Sequence, residues 1–286
     1  MITDGASFVA LDLEFVGRRE RLPLQLGVVV VEDGEISVRR SFWFKVVGHP
    51  WWSVPWGHRS ELVKRGPRLT REIYESSPYL ADAWATVTGL IADRPVFAHG
   101  AGLDMRFLRA GFDAHGLPWP TLRYCCTLSI ARSVWPAGAG HCPQCHTLVE
   151  LARRLFPAAG LFGGYRTVSS GHDPVEDAEA AARVVLAALD ATGTSTVAEL
   201  LAATGRRMWT MDPERCQTSK GWTYRVPAPP SPGRGISDRV ALRAAFLEIR
   251  REWRADPAIL DTLRYPKATD PLPPPSSPPR RRRGRW

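Results

Sequence analysis

The chain has 286 residues, of which 44% are hydrophobic, enough for a full globular core in one or two domains. No apolar run approaches the ~20 residues that span a bilayer. The N-terminus lacks the basic stretch and apolar run of a secretory signal, so a cytoplasmic location is expected, nucleoid-associated in a bacterium. The net charge is +9, and Arg280, Arg281, Arg282, Arg283 and Arg285 supply most of that excess. A polyanionic partner fits this balance, as does a merely solvated basic tail. Five cysteines, an odd number without an export signal, argue against a disulfide framework.

In chain order, residues 6–16 and 24–31 read as buried strands. Asp33-Gly34 is a hairpin turn signal, and 35–46 reads as a third strand, so the chain opens with an antiparallel meander. Residues 48–70 look like a long loop carrying Trp51, Trp52 and Trp56. A helix is predicted near 79–92 and a short buried strand at 95–98. A second helix starts near Leu103, with Gly111 as its C-cap. Residues 121–128 suit a fifth strand. Thr147 to Glu150 is a capping box opening a helix to about Phe156. Asp173-Pro174-Val175-Glu176 opens another, running to about Leu189. Strands followed by alternating helices and strands give an α/β chain with a mixed sheet and helices on its faces. A linker is expected over 193–235, a helical segment over 236–265, and a disordered Pro/Arg-rich tail over 266–286.

Three places combine acids with apolar surroundings, where an unpaired charge is costly. Asp12 and Glu14 lie two apart on the first strand, so they share a face, with Cα atoms ~6.6 Å apart. Phe8 and Ala10 continue that face, so polarity appears only at the strand's C-terminal end, where open α/β sheets bind ligands. Asp104 falls in the first turn of its helix, a position the helix dipole alone favours, but Gly100 and Gly102 precede it and permit close backbone approach. Asp177 lies four residues past the Asp173 cap, and His172 lies just outside that cap. Four carboxylates brought together repel unless cations neutralise them. Two Mg²⁺ or Mn²⁺ ions ~3.5–4 Å apart suit such a set and clamp an in-line phosphoryl displacement. His172, with an ordinary pKa near 6.5, is placed to accept the proton of an attacking water.

Asp12-Leu13-Glu14, then Asp104, then His172 with Asp177 five later, resemble the three motifs of the DEDDh 3′→5′ exonucleases. That family includes polymerase proofreading subunits, ribonuclease T and oligoribonuclease. The resemblance covers about residues 6–190. It implies a ribonuclease H-like fold with a mixed five-stranded sheet, one strand antiparallel, flanked by helices, here with a C-terminal extension. It also implies Asp12, Glu14, Asp104 and Asp177 as ligands of two divalent cations and His172 as general base. Leu13, Phe15, His99 and Leu103 are expected about the 3′-terminal nucleotide. The chain departs from the family pattern in having Phe15 where Thr is common, Gly100 for Asn and Leu103 for Phe in the second motif, and Cys126 before the Thr-Leu pair. The implied activity is release of nucleoside 5′-monophosphates from single-stranded DNA, with RNA as the alternative substrate. A non-catalytic adaptor is the alternative of another class, and a polymerase or other protein is an expected partner of the C-terminal extension.

Two further features remain open on sequence alone. Cys142, Cys145 and His146 carry the donor set of a structural Zn²⁺ site, which Cys125 or Cys126 could complete; a plain reduced loop is the other reading. Trp51 and Trp52, with Trp56, could stack single-stranded bases or simply pack a loop on the sheet.

Overall fold

The structure is a computed structural model that describes residues 5–16, 21–54, 69–136, 146–164, 173–213, 215–217 and 223–225. The segment expected as a helix over 236–265 and the tail lie outside the described residues, as do Trp56, Cys142, Cys145 and His172.

Strands β1 (Phe8–Val16), β2 (Leu22–Glu32) and β3 (Glu35–Trp43) form the expected meander. Asp33 and Gly34 both have positive φ, 50° and 85°, as the tight hairpin between β2 and β3 requires. Two short helices follow, α1 (Arg71–Ser76) and α2 (Leu80–Ile91). Then come β4 (Val96–Ala98), α3 (Ala101–Ala114), β5 (Leu122–Cys126), α4 (Thr127–Val134), α5 (Leu148–Leu155) and the long α6 (Pro174–Thr192). In the sheet β2 runs antiparallel to both β1 and β3, whereas β4 is parallel to β1 and β5 parallel to β4. The spatial order β3-β2-β1-β4-β5 with β2 reversed is the ribonuclease H-like arrangement.

The sheet is larger than the five strands expected. Helix α7 (Val197–Thr204) and strands β6 (Trp209–Met211), β7 (Arg215–Gln217) and β8 (Thr223–Arg225) extend it to eight among the described residues. So part of the stretch expected as a linker is folded onto the sheet. Trp209 packs edge-on against Tyr124 at 5.8 Å, and Met211 and Cys216 are buried in the same core. Apolar side chains this large bury too much surface to be left in a linker.

Both faces of β1 are covered, as its two-sided apolar pattern predicts. Val9, Leu11 and Leu13 join the core under α2 and α3, with Leu80, Val87, Met105 and Leu108. Phe8 and Ala10 join the opposite core under α4, α6 and α7, with Phe97, Ala178, Ala181 and Leu200. The small residues of α6 let this helix lie close to the sheet. Among the described residues no single helix is long and apolar enough to cross a membrane.

Two glycines behave differently from their sequence reading. Gly111 does not cap α3 but sits inside it, where a Cβ would lie 2.5 Å from Leu80 Cδ2 and 3.0 Å from the Pro23 ring. Its role is close packing of α3 on α2 and β2. Gly100 caps α3 at φ 87°, and a Cβ there would meet nothing within 4 Å. Its requirement is the left-handed conformation, not close approach.

Candidate active site

Asp12 and Glu14 stand at the C-terminal end of β1, partly exposed, on the face toward α6. Asp104 comes from the first turn of α3, which starts three residues after β4 ends. Because β4 is parallel to β1, with Ala10 opposite Phe97, this brings α3 in at the same end of the sheet. Asp177 comes from the first turn of α6, whose start is fixed by Asp173: its Oδ1 accepts a hydrogen bond from the Val175 N–H at 3.0 Å, and Pro174 occupies the first helical position. Asp104 and Asp177 are buried, at 5% and 4% exposure.

A residue that the motifs do not name makes the α6 approach possible. Gly27 on β2 is the register partner of Asp12. A Cβ built on Gly27 would lie 2.0 Å from the Pro174 carbonyl oxygen and 2.5 Å from the Val175 nitrogen. The first turn of α6 therefore rests directly on the Gly27 backbone, and Asp177 is set beside Asp12 by that contact. The signal was present in the sequence: a glycine inside the apolar run Leu24-Gln25-Leu26-Gly27-Val28 weakens a strand unless another backbone must come close.

The acids do converge. Carboxylate oxygens of Asp12, Glu14 and Asp177 all lie within 4.8 Å of one another. Burial, then Asp177, Asp104, Glu14 and Asp173, push the Asp12 carboxyl well above the ordinary carboxylate range. Burial also raises Asp104, to about 7, with Asp177 and Glu14 adding to the rise. Main-chain N–H groups of Asp104 itself and of Leu13 hold it partly down. Asp173 is raised as well, by burial and by Asp177, against its own capping hydrogen bonds. Such a set has the oxygen donors, the spacing and the excess negative charge that a hard divalent cation takes up. Asp12, Glu14 and Asp177, with Asp104 beside them, are the residues fit to hold it.

The other predicted residues fall in several places. Leu13 is buried in the core under α3, so only its backbone faces the site. Leu103 is half-buried beside Asp104. Phe15 follows Glu14 at an irregularity in the β1–β2 pairing and packs on Phe107 of α3, ring centroids 4.3 Å apart. Trp51 packs against Tyr74 at 5.9 Å and belongs to the small core around Val16 and Leu22. Trp52, its neighbour on the same turn, is 76% exposed.

His99 is differently employed from the expectation. Its Nδ1 lies 2.9 Å from Thr127 Oγ1 and its Nε2 2.9 Å from the His146 carbonyl oxygen. Burial pulls its pKa down to about 4, so the ring is neutral at physiological pH. With both nitrogens engaged, His99 ties β4 to α4 and to the segment before α5. His146 is buried too, its Nε2 2.9 Å from the Trp135 carbonyl oxygen, which uses the nitrogen a zinc ion would most readily take. Cys125, a candidate fourth zinc ligand, is a core residue whose thiol burial pushes up to about 12. That favours the protonated thiol over the thiolate that zinc binds.

The fold and site together define a ribonuclease H-like chain with a carboxylate cluster at the C-terminal end of its first strand. No family model matches the chain, and none of the curated protein sequences matches it. Among solved structures it is similar to Exonuclease X in complex with 5′ overhanging duplex DNA, at 18% identity over 69% of this chain and 99% of that one, TM-score 0.45. It is similar to the nuclease domain of 3′hExo, a DEDDh family member bound to rAMP, at 10% identity over 66% and 94% of the two chains, TM-score 0.48. It is also similar to E. coli Exonuclease I in complex with a dA16 oligonucleotide, at 14% identity over 68% of this chain and 42% of that one, TM-score 0.45.

Proposed function

We propose that this protein is a DEDDh-type 3′→5′ exonuclease that releases nucleoside 5′-monophosphates from single-stranded ends, with DNA preferred over RNA. The observation that carries the reading is the meeting of Asp12 and Glu14 with Asp177, whose carboxylate oxygens lie within 4.8 Å of one another although Asp177 is far from the other two in the chain. Asp104 joins them electrostatically. Sheet-end acids from three separate elements serve no packing purpose, and burial together with their acidic neighbours makes Asp12 and Asp104 costly to ionise.

Bound divalent cations would supply Lewis acidity at the scissile phosphate and make an attacking water more acidic. The protein's own contribution is positional. β1 holds Asp12 and Glu14 on one face, Gly27 seats the α6 turn that carries Asp177, and Gly100 turns the chain so that Asp104 enters from α3. His172 is assigned the proton of the attacking water. The support is its chain position: Asp173, the next residue, lies within electrostatic reach of Asp12. The water oxygen would bond to phosphorus as the P–O3′ bond breaks, so the phosphate stays on the 5′ oxygen of the released nucleotide. The water's proton would go to His172 and on to solvent, and the 3′ oxygen left on the strand would take a proton up from solvent.

The test uses single-stranded oligonucleotides with Mg²⁺ or Mn²⁺. A 3′-labelled strand should lose its label as mononucleotide at once, while a 5′-labelled strand shortens progressively. EDTA should stop both. Label lost first from the 5′ end, or turnover that persists in EDTA, refutes the assignment. Matched DNA and RNA strands rank the two substrates.

A further inference from the structure

Arg21 has a conformation that its sequence does not explain. It lies at the entry to β2 with φ 50°, the left-handed region that a residue with a Cβ adopts at a cost. Such conformations persist where their surroundings hold them, and they gather at ligand sites. The surroundings here are two aromatic rings. The Arg21 guanidinium carbon lies 5.5 Å from the Phe15 centroid and 5.9 Å from that of Phe107. Phe15 is the residue after Glu14, and Phe107 lies one helical turn past Asp104. The stack is thus built on the very segments that carry three of the four acids.

The geometry points to Arg21 as a clamp for the phosphodiester next to the scissile one, an inference that rests on the exonuclease reading. Carboxylate oxygens of Asp12, Glu14 and Asp177 crowd within 4.8 Å of one another at this end of the sheet. A polyanionic strand approaching it is therefore helped by a cation at the rim. Arginine suits the place for a geometric reason. The Phe15 and Phe107 rings give the guanidinium a cation–π seat, its carbon 5.5 and 5.9 Å from their centroids. A guanidinium's N–H donors form a planar fork that matches two phosphate oxygens. Lysine, a point charge, has no equivalent fork. The neighbouring residues support the same path: Leu22, next to Arg21, and Trp51, next to the exposed Trp52, pack in one small core with Val16 at the end of β1.

The experiment compares three substrates with wild-type protein, Arg21→Ala and Arg21→Lys in Mn²⁺. The first is thymidine 5′-monophosphate p-nitrophenyl ester, which has a scissile phosphodiester and no neighbour. The second is an oligothymidylate. The third is the same strand with a neutral methylphosphonate at the second linkage from the 3′ end. The ratio of kcat/KM for the strand to that for the ester should fall roughly tenfold to a hundredfold in Arg21→Ala, and nearly as far in Arg21→Lys, the range expected for a charge-assisted hydrogen bond. The methylphosphonate should penalise the wild type by a similar factor and Arg21→Ala by little. A ratio unchanged in both variants, or a full methylphosphonate penalty in Arg21→Ala, overturns the clamp while leaving the exonuclease reading intact. Equal loss on strand and ester overturns it too, because that is the mark of a structural residue. Wild-type protein inert toward every substrate overturns the exonuclease reading, and the clamp with it.

Discussion

Gly27→Ala places one methyl group where the structure has no space for it. The added Cβ would lie 2.0 Å from the Pro174 carbonyl oxygen, whereas Cβ atoms are essentially never found closer than 3.0 Å to a neighbour. The obstacle is backbone at the start of a 19-residue helix, so it cannot rotate aside as a side chain can. The first turn of α6 must retreat by about 1 Å, and Asp177 retreats with it from Asp12, the register partner of Gly27. Misplacement of that size costs about 10²-fold in rate. Overpacking adds a stability loss of about 1–3 kcal/mol. The assay is kcat on a single-stranded oligonucleotide, with Mn²⁺ affinity by calorimetry and Tm measured alongside. Gly111→Ala is the comparison, since its nearest neighbour is the end of the Leu80 side chain, which can move. It should lower Tm with far less effect on Mn²⁺ uptake. Gly27→Ala protein that binds Mn²⁺ and turns over like the wild type would refute the argument that this glycine positions the carboxylates.

Asp12→Asn should separate function from stability. Turnover should fall at least ~10³-fold, equivalent to about 4 kcal/mol of lost transition-state stabilisation. In EDTA at pH 8 its Tm should instead exceed that of the wild type, because a carboxyl raised by burial and by its acidic neighbours is removed; an equal or lower Tm contradicts this. Asp104 gives a pH dependence of defined sign. Its folded carboxyl is raised to about 7, so its contribution is fully present below the unfolded value near 3.9 and is lost as pH rises through 7. In EDTA, urea unfolding of Asp104→Asn and wild type should therefore diverge in the variant's favour between pH 4 and pH 8, and parallel curves would exclude the raised carboxyl. Saturating Mn²⁺ should reduce that gap by stabilising the wild type more than the variant. Glu179 behaves oppositely. Its carboxylate accepts a hydrogen bond from Arg39 Nη2 at 3.0 Å and from Arg183 Nη2 at 2.7 Å, and the Arg39 pairing is the first cause of its lowered pKa. Its contribution is present at neutral pH and lost in acid as pH falls through that lowered value. Because Arg39 is about half exposed, Glu179→Ala should cost no more than about 2 kcal/mol at pH 7, read as a lower urea midpoint that converges with the wild type in acid.

The sequence alone determined the order of the first five strands' elements, because their signals are local. Alternating or continuous apolar runs, Asp33-Gly34 between two of them, and Asp173-Pro174 at a helix start each depend on neighbours a few residues away. The four acids were legible for a related reason: a carboxylate inside apolar sequence is costly enough to mark itself. What tertiary structure decided was everything set by distant partners. Gly111 looked like a helix end, and only the packing of Leu80 and Pro23 against it makes it an interior contact. His99 looked available for a ligand, and only Thr127 and the His146 carbonyl, brought in by the fold, occupy both of its nitrogens. The strands after residue 205 are too short to be read locally, and they exist because β5 offers an edge to pair with. Gly27 joins the two levels. Its oddity can be seen in the strand, but its purpose depends on a helix that begins 147 residues later and must touch its backbone.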